Sequence, residues 1–378
     1  MAGYLFLIGG ENNDEEEDRR KRVMEVVEQG MYSTMMSPKW SSAAEGTLGD
    51  FITMKPGDNV YFFGKRKVYG IGSIIDAGDG RAVIENFNGA TMPRTIVDYD
   101  FDCIVPSSMN DKVGRWVVAF RPDPAFFDEG IDMDDLLSSN PGAFRSLRVI
   151  ERRTFIKLDD EENLAFTAAF VRRNLDTIRR ISRRQTTIPF GLREGSAPDV
   201  RGLIADKRKR DGSLSSEMLV EVGLLYQLAQ NDPRTIGVFG NCDYLSHQVN
   251  ASPFKPVLYM DKIDVFGYRY IEGYRPIVEK YLVAELKKDG SGASDIPQVM
   301  KYVDFVRNEY AHGDYSMIGA YLVAHSFEGD AVQGLRRLAK RDYVTGQRTI
   351  VSHSWTDLTL VTYNVTPDGY IEFTRCVG

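Results

Sequence analysis

The sequence predicts an α/β protein, α+β overall, with a small β-barrel in its first part and a mixed sheet flanked by helices in its second. Two observations carry this. Along the first 150 residues, short β-branched and aromatic runs alternate with the turn stretches KPGD, FGKRK and AGDG, as in a meander or small barrel. From residue 212 onward, strand-like and helical runs follow in the order strand, helix, strand, which implies a crossover unit. At 378 residues, 43% hydrophobic and 27% charged, the chain has the composition of an ordinary globular protein of two or three domains.

The elements read in order as follows. GYLFLIGG is a strand ending in glycines, and EDRRKRVMEVVEQG is a helix with Val23, Val26 and Val27 on one face and Gly30 as its stop. DNVYFF, KVYGIGSIID, RAVIENF, TIVDYDFDCIV and GRWVVAF are the strands of the barrel. A helix opens near Asp159 or Asp160, acidic at its start and arginine-rich at its end, the order its dipole favours. Residues 151–211 are a helical, basic connector between a first domain, 1–150, and a second, 212–378. In the second domain SLSSEMLVEVGLLYQLAQND is a helix, and KPVLYMDKIDVFGYRY and VEKYLVAELKK are strands. SDIPQVMKYVDFVRNEYAHG is a helix capped by Ser294 or Asp295, with Pro297 in its first turn and Gly313 past its end. SMIGAYLVAHSF is again a strand.

No apolar run is long enough to span a membrane, and the N-terminus lacks the basic start of a secretory signal. Cys103, Cys242 and Cys376 are too few and too scattered for a zinc site or a disulfide framework, so a reducing cytoplasm is the expected location. The net charge of −7 argues against nonspecific electrostatic binding as the main activity. Charge is uneven, however: acidic residues gather at 11–18 and 123–135, basic ones at 172–184 and 207–210. The arginine pairs of 172–184 suit a duplex backbone or, equally simply, a solvated helix flank.

The chemistry concentrates in YLVAELK. Alternation along a strand sets Val283, Glu285 and Lys287 on one face. If the strand carrying DKIDVFG pairs with it, Asp264 converges on Glu285. Two carboxylates close together repel and require a counter-ion. A hard divalent cation supplies one and binds phosphate oxygens, while a lysine beside it orients a water or offsets phosphate charge. An exposed ion pair at a strand end is the plainer reading of Glu285 and Lys287, and Asp261 is an alternative ligand to Asp264.

The ordered set SEMLVE, DKIDVFG, YLVAELKK and PQVMKYV, over roughly residues 212–326, resembles the PD-(D/E)xK nuclease superfamily, specifically its Mrr-like and NucS-like branches. The resemblance implies a restriction-endonuclease-like mixed sheet, an Mg²⁺ or Mn²⁺ site and phosphodiester hydrolysis. It assigns Asp264 and Glu285 as metal ligands, Lys287 as a catalytic residue, and a helix carboxylate, Glu221 in preference to Glu217 because Glu221 lies nearer the apolar face. Gln298 and Tyr302, one turn apart, match a Gln-x-x-x-Tyr on the following helix. Gln298 is then catalytic and Tyr302 contacts nucleic acid, although a surface Gln and a core Tyr fit the same spacing. No proline precedes Asp264, and YRYIEGYRPIVEK lengthens the connection between the strands, which leaves their pairing to be established.

The first domain is similar to the EVE/PUA-like barrel at Lys55–Asp58, Val60–Phe63 and Tyr69–Gly72. That resemblance implies nucleic-acid recognition, including modified bases held in an aromatic pocket. Trp40 is then a pocket residue or a loop anchor, and Lys65, Arg66 and Lys67 form a turn that touches phosphates or is simply solvated. The histidines are scattered and receive no role. The combination implies a reader fused to a cutter: a modification-dependent restriction or antiviral-defence endonuclease acting on DNA as a homodimer. The alternatives are a repair nuclease for mismatched or branched DNA and a non-catalytic reader.

Overall fold

The computed structural model describes residues 1–9, 16–37, 39–86, 104, 113–126, 129–149, 155–180, 195–251, 261–346 and 348–376. The expected strand TIVDYDFDCIV, Cys103, the end of the 172–184 basic run and most of the acidic run 11–18 lie outside or largely outside them. The chain forms two compact units of mixed α and β structure. One is built from Met1–Trp40, Met54–Ala90 and Arg94–Pro198, the other from Ser41–Thr53 and Asp199–Gly378.

The first unit begins with β1 (Gly3–Leu7), α1 (Glu16–Gln29) and β2 (Met31–Met36). Val23 and Val27 of α1 are buried, and Gly30 ends the helix at φ +63°. The next helix, α2 (Ser42–Ile52), belongs to the second unit. The first unit resumes with β3 (Asn59–Gly64), β4 (Lys67–Ile74), β5 (Val83–Glu85), β6 (Val113–Pro122), β7 (Ile131–Asp132), α3 (Met133–Ser139), β8 (Phe155–Leu158), α4 (Asp160–Arg173) and α5 (Leu175–Arg180). Its eight strands run in the order β2-β6-β4-β3-β1-β8, with β5 beside β6 and β7 beside β4.

This is a half-barrel. β1 pairs in parallel with β3 and antiparallel with β8, so β8 ends one side of the sheet and β2 the other. The Asp159 carboxylate caps α4 by accepting from the Glu162 N–H at 2.8 Å. α4 buries Phe166 and Phe170 against Leu5, Tyr61, Phe144 and Leu158 in the core of the unit. The Tyr61 hydroxyl is held there by Asn163 and Thr167.

The second unit contains α2, α6 (Val200–Lys207), α7 (Glu217–Ala229), α8 (Pro233–Phe239), β9 (Tyr244–Asn250), β10 (Lys262–Tyr270) and β11 (Val278–Leu286). Then come β12 (Gly290–Ser291), α9 (Ile296–Glu309), β13 (Ile318–Ala324), β14 (Ser326–Phe327), α10 (Ala331–Leu338), β15 (Arg341–Thr345), β16 (Val351–Trp355), β17 (Leu358–Val365) and β18 (Ile371–Arg375). The main sheet has the order β18-β17-β13-β11-β10-β9. β9, β10 and β11 are antiparallel neighbours, while β11, β13 and β17 run parallel. The parallel step from β11 to β13 passes through α9, as a crossover requires.

α9 starts at Ile296 with Pro297 in its first turn, but the Asp295 carboxylate turns upstream, accepting from the Ser291 hydroxyl and the Gly292 N–H rather than capping α9. The C-terminal strands β15 to β18 extend the architecture beyond the elements read from the sequence. No helix among the described residues is long and apolar enough to cross a membrane.

Candidate active site

β10 and β11 do pair. Their register runs Val265↔Ala284, Phe266↔Val283 and onward, so one further step sets Asp264 opposite Glu285 on the same sheet face. Asp264 Oδ2 accepts from the Leu286 N–H at 2.8 Å, which ties the end of β10 to β11. On the other side of β11, Lys287 N–H donates to Val323 O at 2.8 Å, extending the parallel ladder to β13 past the last residue of the strand. Glu285 and Lys287 are therefore held on frameworks that are buried and hydrogen-bonded along their length.

α7 supplies the third carboxylate. Its N-cap Ser216 accepts from Leu219 N–H at 3.3 Å and donates to Glu45 Oε2 of α2 at 2.6 Å. One turn in, Glu221 faces the sheet. Glu221, Asp264 and Glu285 are 2%, 7% and 1% exposed, a concentration of buried acid that packing alone does not favour. Glu217 is more exposed, and its Oε1 lies 3.9 Å from Lys287 Nζ.

The polar contacts form one network. Lys287 Nζ donates to Glu285 Oε1 at 2.6 Å. Gln248 Nε2, from β9, donates to both oxygens of Glu221 at 3.0 Å and to Asp264 Oδ1 at 3.2 Å. His247 Nδ1 lies 3.4 Å from Glu221 Oε2, and its Nε2 lies 2.8 Å from Asp50 Oδ1 of α2. Gly49, one residue before Asp50, lets the imidazole sit against α2: a Cβ there would meet His247 Cε1 at 2.9 Å. On α9, Gln298 donates to the Tyr302 hydroxyl at 2.9 Å, and the Tyr302 ring is buried.

Burial drives the Asp264 carboxyl well above its ordinary range, and the charges of Glu221 and Glu285 push it further. Burial also raises Glu285, opposed by Lys287 and by Asp264. Glu217 rises through burial, opposed by Lys287 and reinforced by Glu221. For Lys287 burial works against the charge, yet the hydrogen bond and charge of Glu285, with Glu217 and Asp264 beyond, hold the ammonium above its usual value. His247 behaves likewise: burial opposes its charge, Asp50 and Glu221 outweigh that, and its pKa reaches about 9. Tyr302 is raised by burial, and Glu285 and Asp264 add to it, which places its hydroxyl within their field.

Among the described residues no three His, Cys, Asp or Glu side chains already stand as a metal-holding group. The donor chemistry nevertheless fits a hard divalent cation. Glu285 Oε2 is buried without a hydrogen-bond partner, Asp264 is destabilised by two neighbouring carboxylates, and the space Glu221 shares with Asp264 holds a hydrogen-bond donor, the Gln248 amide.

The candidates of the first unit lie apart from this cluster in sequence and in structural unit. Trp40 meets Trp116 edge-on at 6.3 Å, and the Arg115 guanidinium lies 5.4 Å from the centre of the Trp40 ring. Arg115 Nε is 3.4 Å from Glu85 Oε2, and Trp116 Nε1 donates to Glu85 Oε1 at 3.3 Å, so two buried charges line the aromatic pair. Lys65 and Arg66 occupy the β3–β4 turn at φ +46° and +67°. Arg66 pairs with Asp134 at 2.6 Å and Lys67 with Glu16, so acids already offset part of this turn's charge. Likewise Arg173 pairs with Asp135 and Arg179 with Asp176.

Sequence reasoning did not find Gln248, His247 and Asp50, nor Arg115 and Glu85. Only the strand order could have flagged Gln248 and His247, by placing LSHQVN beside the Asp264 strand. Asp261 precedes β10 and accepts the Ala251 N–H through its carbonyl at 2.8 Å.

No family model and no curated protein matches the chain. Two similar solved structures are a repair endonuclease from Pyrococcus abyssi and an EndoMS–double-stranded DNA complex. The first is 25% identical over 29% of this chain, with a TM-score of 0.20; the match spans 40% of that chain's length. The second is 12% identical over 82% of this chain and 93% of that one, with a TM-score of 0.21. Likeness at that level carries no functional argument.

Proposed function

We propose that the chain is a metal-dependent DNA endonuclease whose second unit hydrolyses phosphodiesters and whose first unit selects the target. The observation that carries this is the β10–β11 register, which sets Asp264 opposite Glu285 with Lys287 hydrogen-bonded to Glu285 and Glu221 reaching in from α7. Asp264, Glu285 and Glu221 would hold Mg²⁺ or Mn²⁺. When bound, that cation neutralises the buried carboxylates and supplies positive charge to a phosphate and acidity to a water.

The chain's own groups have definite parts. Lys287, hydrogen-bonded to Glu285, is a donor and a positive charge for the phosphate. Glu285 fixes the Lys287 ammonium with Oε1, and its Oε2, without a hydrogen-bond partner, would be available to the cation. Asp264 is aimed by the Leu286 N–H. On α9 the buried Tyr302 hydroxyl, within the field of Glu285 and Asp264, accepts from Gln298, and Gln298 would meet the substrate. In the first unit, the half-buried Trp40 ring, backed by the buried Trp116 and Arg115, offers an aromatic face for a base, and Lys65, Arg66 and Lys67 offer phosphate contacts. Recognition of a modified base, a restriction and antiviral role in the cytoplasm, the EVE/PUA-like and PD-(D/E)xK assignments, and action as a homodimer that cuts both strands complete the proposal.

The test is digestion of plain, modified and mismatched DNA with Mg²⁺ or Mn²⁺ by wild type and Lys287→Ala. Cleavage by wild type alone is expected. Equal behaviour of the two proteins on every substrate defeats the enzyme reading. A preference for mismatches over modified bases moves the role from restriction to repair.

A further inference from the structure

Gln248 breaks the regularity of β9. Its φ is +51°, a left-handed value that a residue with a side chain adopts at a cost of roughly 1 kcal/mol or more. The ladder to β10 shows the same interruption. Ile263 pairs with Val249 and Val265 with His247, but the intervening Asp264–Gln248 pair is missing. This local twist delivers the Gln248 side chain onto the acids of the site. Its Nε2 stands 3.0 Å from both oxygens of Glu221 and 3.2 Å from Asp264 Oδ1. An amide nitrogen has two hydrogens, and here it faces three carboxylate oxygens. A neutral donor satisfies this cluster less fully than a cation does, because it adds no charge against the repulsion between the carboxylates.

We propose that Gln248 is a built-in placeholder: its amide nitrogen stands where a divalent cation shared by Glu221 and Asp264 would stand, and its displacement sets the cation affinity of the site. The inference rests on the metal-dependent reading above and adds to it a residue that is not a ligand. Leaving the acids frees β9 to relax from the left-handed conformation and to close the missing ladder pair, so strain released in the strand offsets hydrogen bonds lost at the amide. Gln248 in this role is a positioning residue.

Direct Mn²⁺ binding to the full chain, by calorimetry without DNA, tests it in wild type, Gln248→Ala and Gln248→Gly. Glycine suits the left-handed backbone, so Gln248→Gly keeps the test available if the alanine variant folds poorly. Both variants should bind Mn²⁺ roughly tenfold more tightly than wild type, a factor equal to about 1.4 kcal/mol. Mn²⁺ should also raise their melting temperature more than it raises that of wild type. Unchanged or weaker Mn²⁺ affinity in the variants, with wild type binding, overturns the placeholder and leaves the nuclease reading standing. Absence of Mn²⁺ binding in all three proteins overturns both.

Discussion

The buried His247 imidazolium makes a quantitative prediction about stability. Its pKa of about 9 in the folded chain, against an ordinary 6.5, corresponds to about 3 kcal/mol of stabilisation. Because the folded value is the higher one, that contribution is fully present below pH 6.5, declines as pH rises, and is gone above about 9. Asp50 contributes the closer of the two anions, at 2.8 Å against 3.4 Å for Glu221. Replacing Asp50 with Asn keeps the shape and removes the charge. The variant should lose about 2 kcal/mol at pH 6 and almost nothing at pH 10.

Urea unfolding of the second unit, followed by the fluorescence of Trp355 in a Trp40→Phe/Trp116→Phe background, gives the difference at each pH. Asp264 and Glu285, whose raised folded values make stability fall as pH rises from the carboxylate range, act in both proteins and cancel in the subtraction. A wild-type minus Asp50→Asn difference that is the same at pH 6 and pH 10 would refute a charged His247.

Three further outcomes follow from the same geometry. Lys287→Ala should lower kcat for DNA cleavage roughly 10²–10³-fold, the usual loss for one positioned donor, with DNA affinity measured by anisotropy little changed. Gly49→Ala should destabilise the fold by about 1–3 kcal/mol, read as a lower melting temperature, because the 2.9 Å approach of its Cβ to His247 outweighs the roughly 1 kcal/mol that alanine ordinarily adds to a helix. Trp40→Ala, at a half-buried ring, should leave folding intact while weakening binding to modified DNA by about 1–3 kcal/mol, read as a roughly 5- to 150-fold rise in Kd.

What was legible in the sequence was local or needed a single pairing. Alternation along YLVAELK places Glu285 and Lys287 on one face, and the antiparallel register adds Asp264, despite the long loop between the strands. The acidic cap before α4, Gly30 after α1 and Pro297 at the start of α9 were legible for the same reason, since each acts within one turn. The Asp295 contact shows the limit of such signals: the residue has the right type and place for a cap, but the upstream Ser291 and Gly292 compete for its carboxylate.

Gln248 was invisible because nothing about a glutamine in LSHQVN announces a left-handed backbone; the neighbouring carboxylates give it a reason to adopt one. His247 and Asp50 were hidden by distance along the chain, since they meet across a separation of 197 residues. Sheet closure in the first unit was likewise beyond local reading. The strands were recognisable one by one, but the parallel entry of β1 beside β3 decides where the edges lie.

The placement of α2 has a consequence for how this protein is made and how it can be altered. Asp50, Gly49 and Glu45 leave the ribosome early, whereas the His247 and Ser216 they touch are translated far later. The second unit thus cannot reach its finished form until its last-made half returns to a helix made near the beginning. No single cut in the polypeptide yields that unit whole: a fragment starting at Asp199 would keep Glu221 but lack Asp50, the closer anion beside His247. Supplying residues 41–53 as a separate peptide should restore what such a fragment lacks. Exchange of the first unit for another would have to carry or spare this helix, so the two units are not interchangeable cassettes.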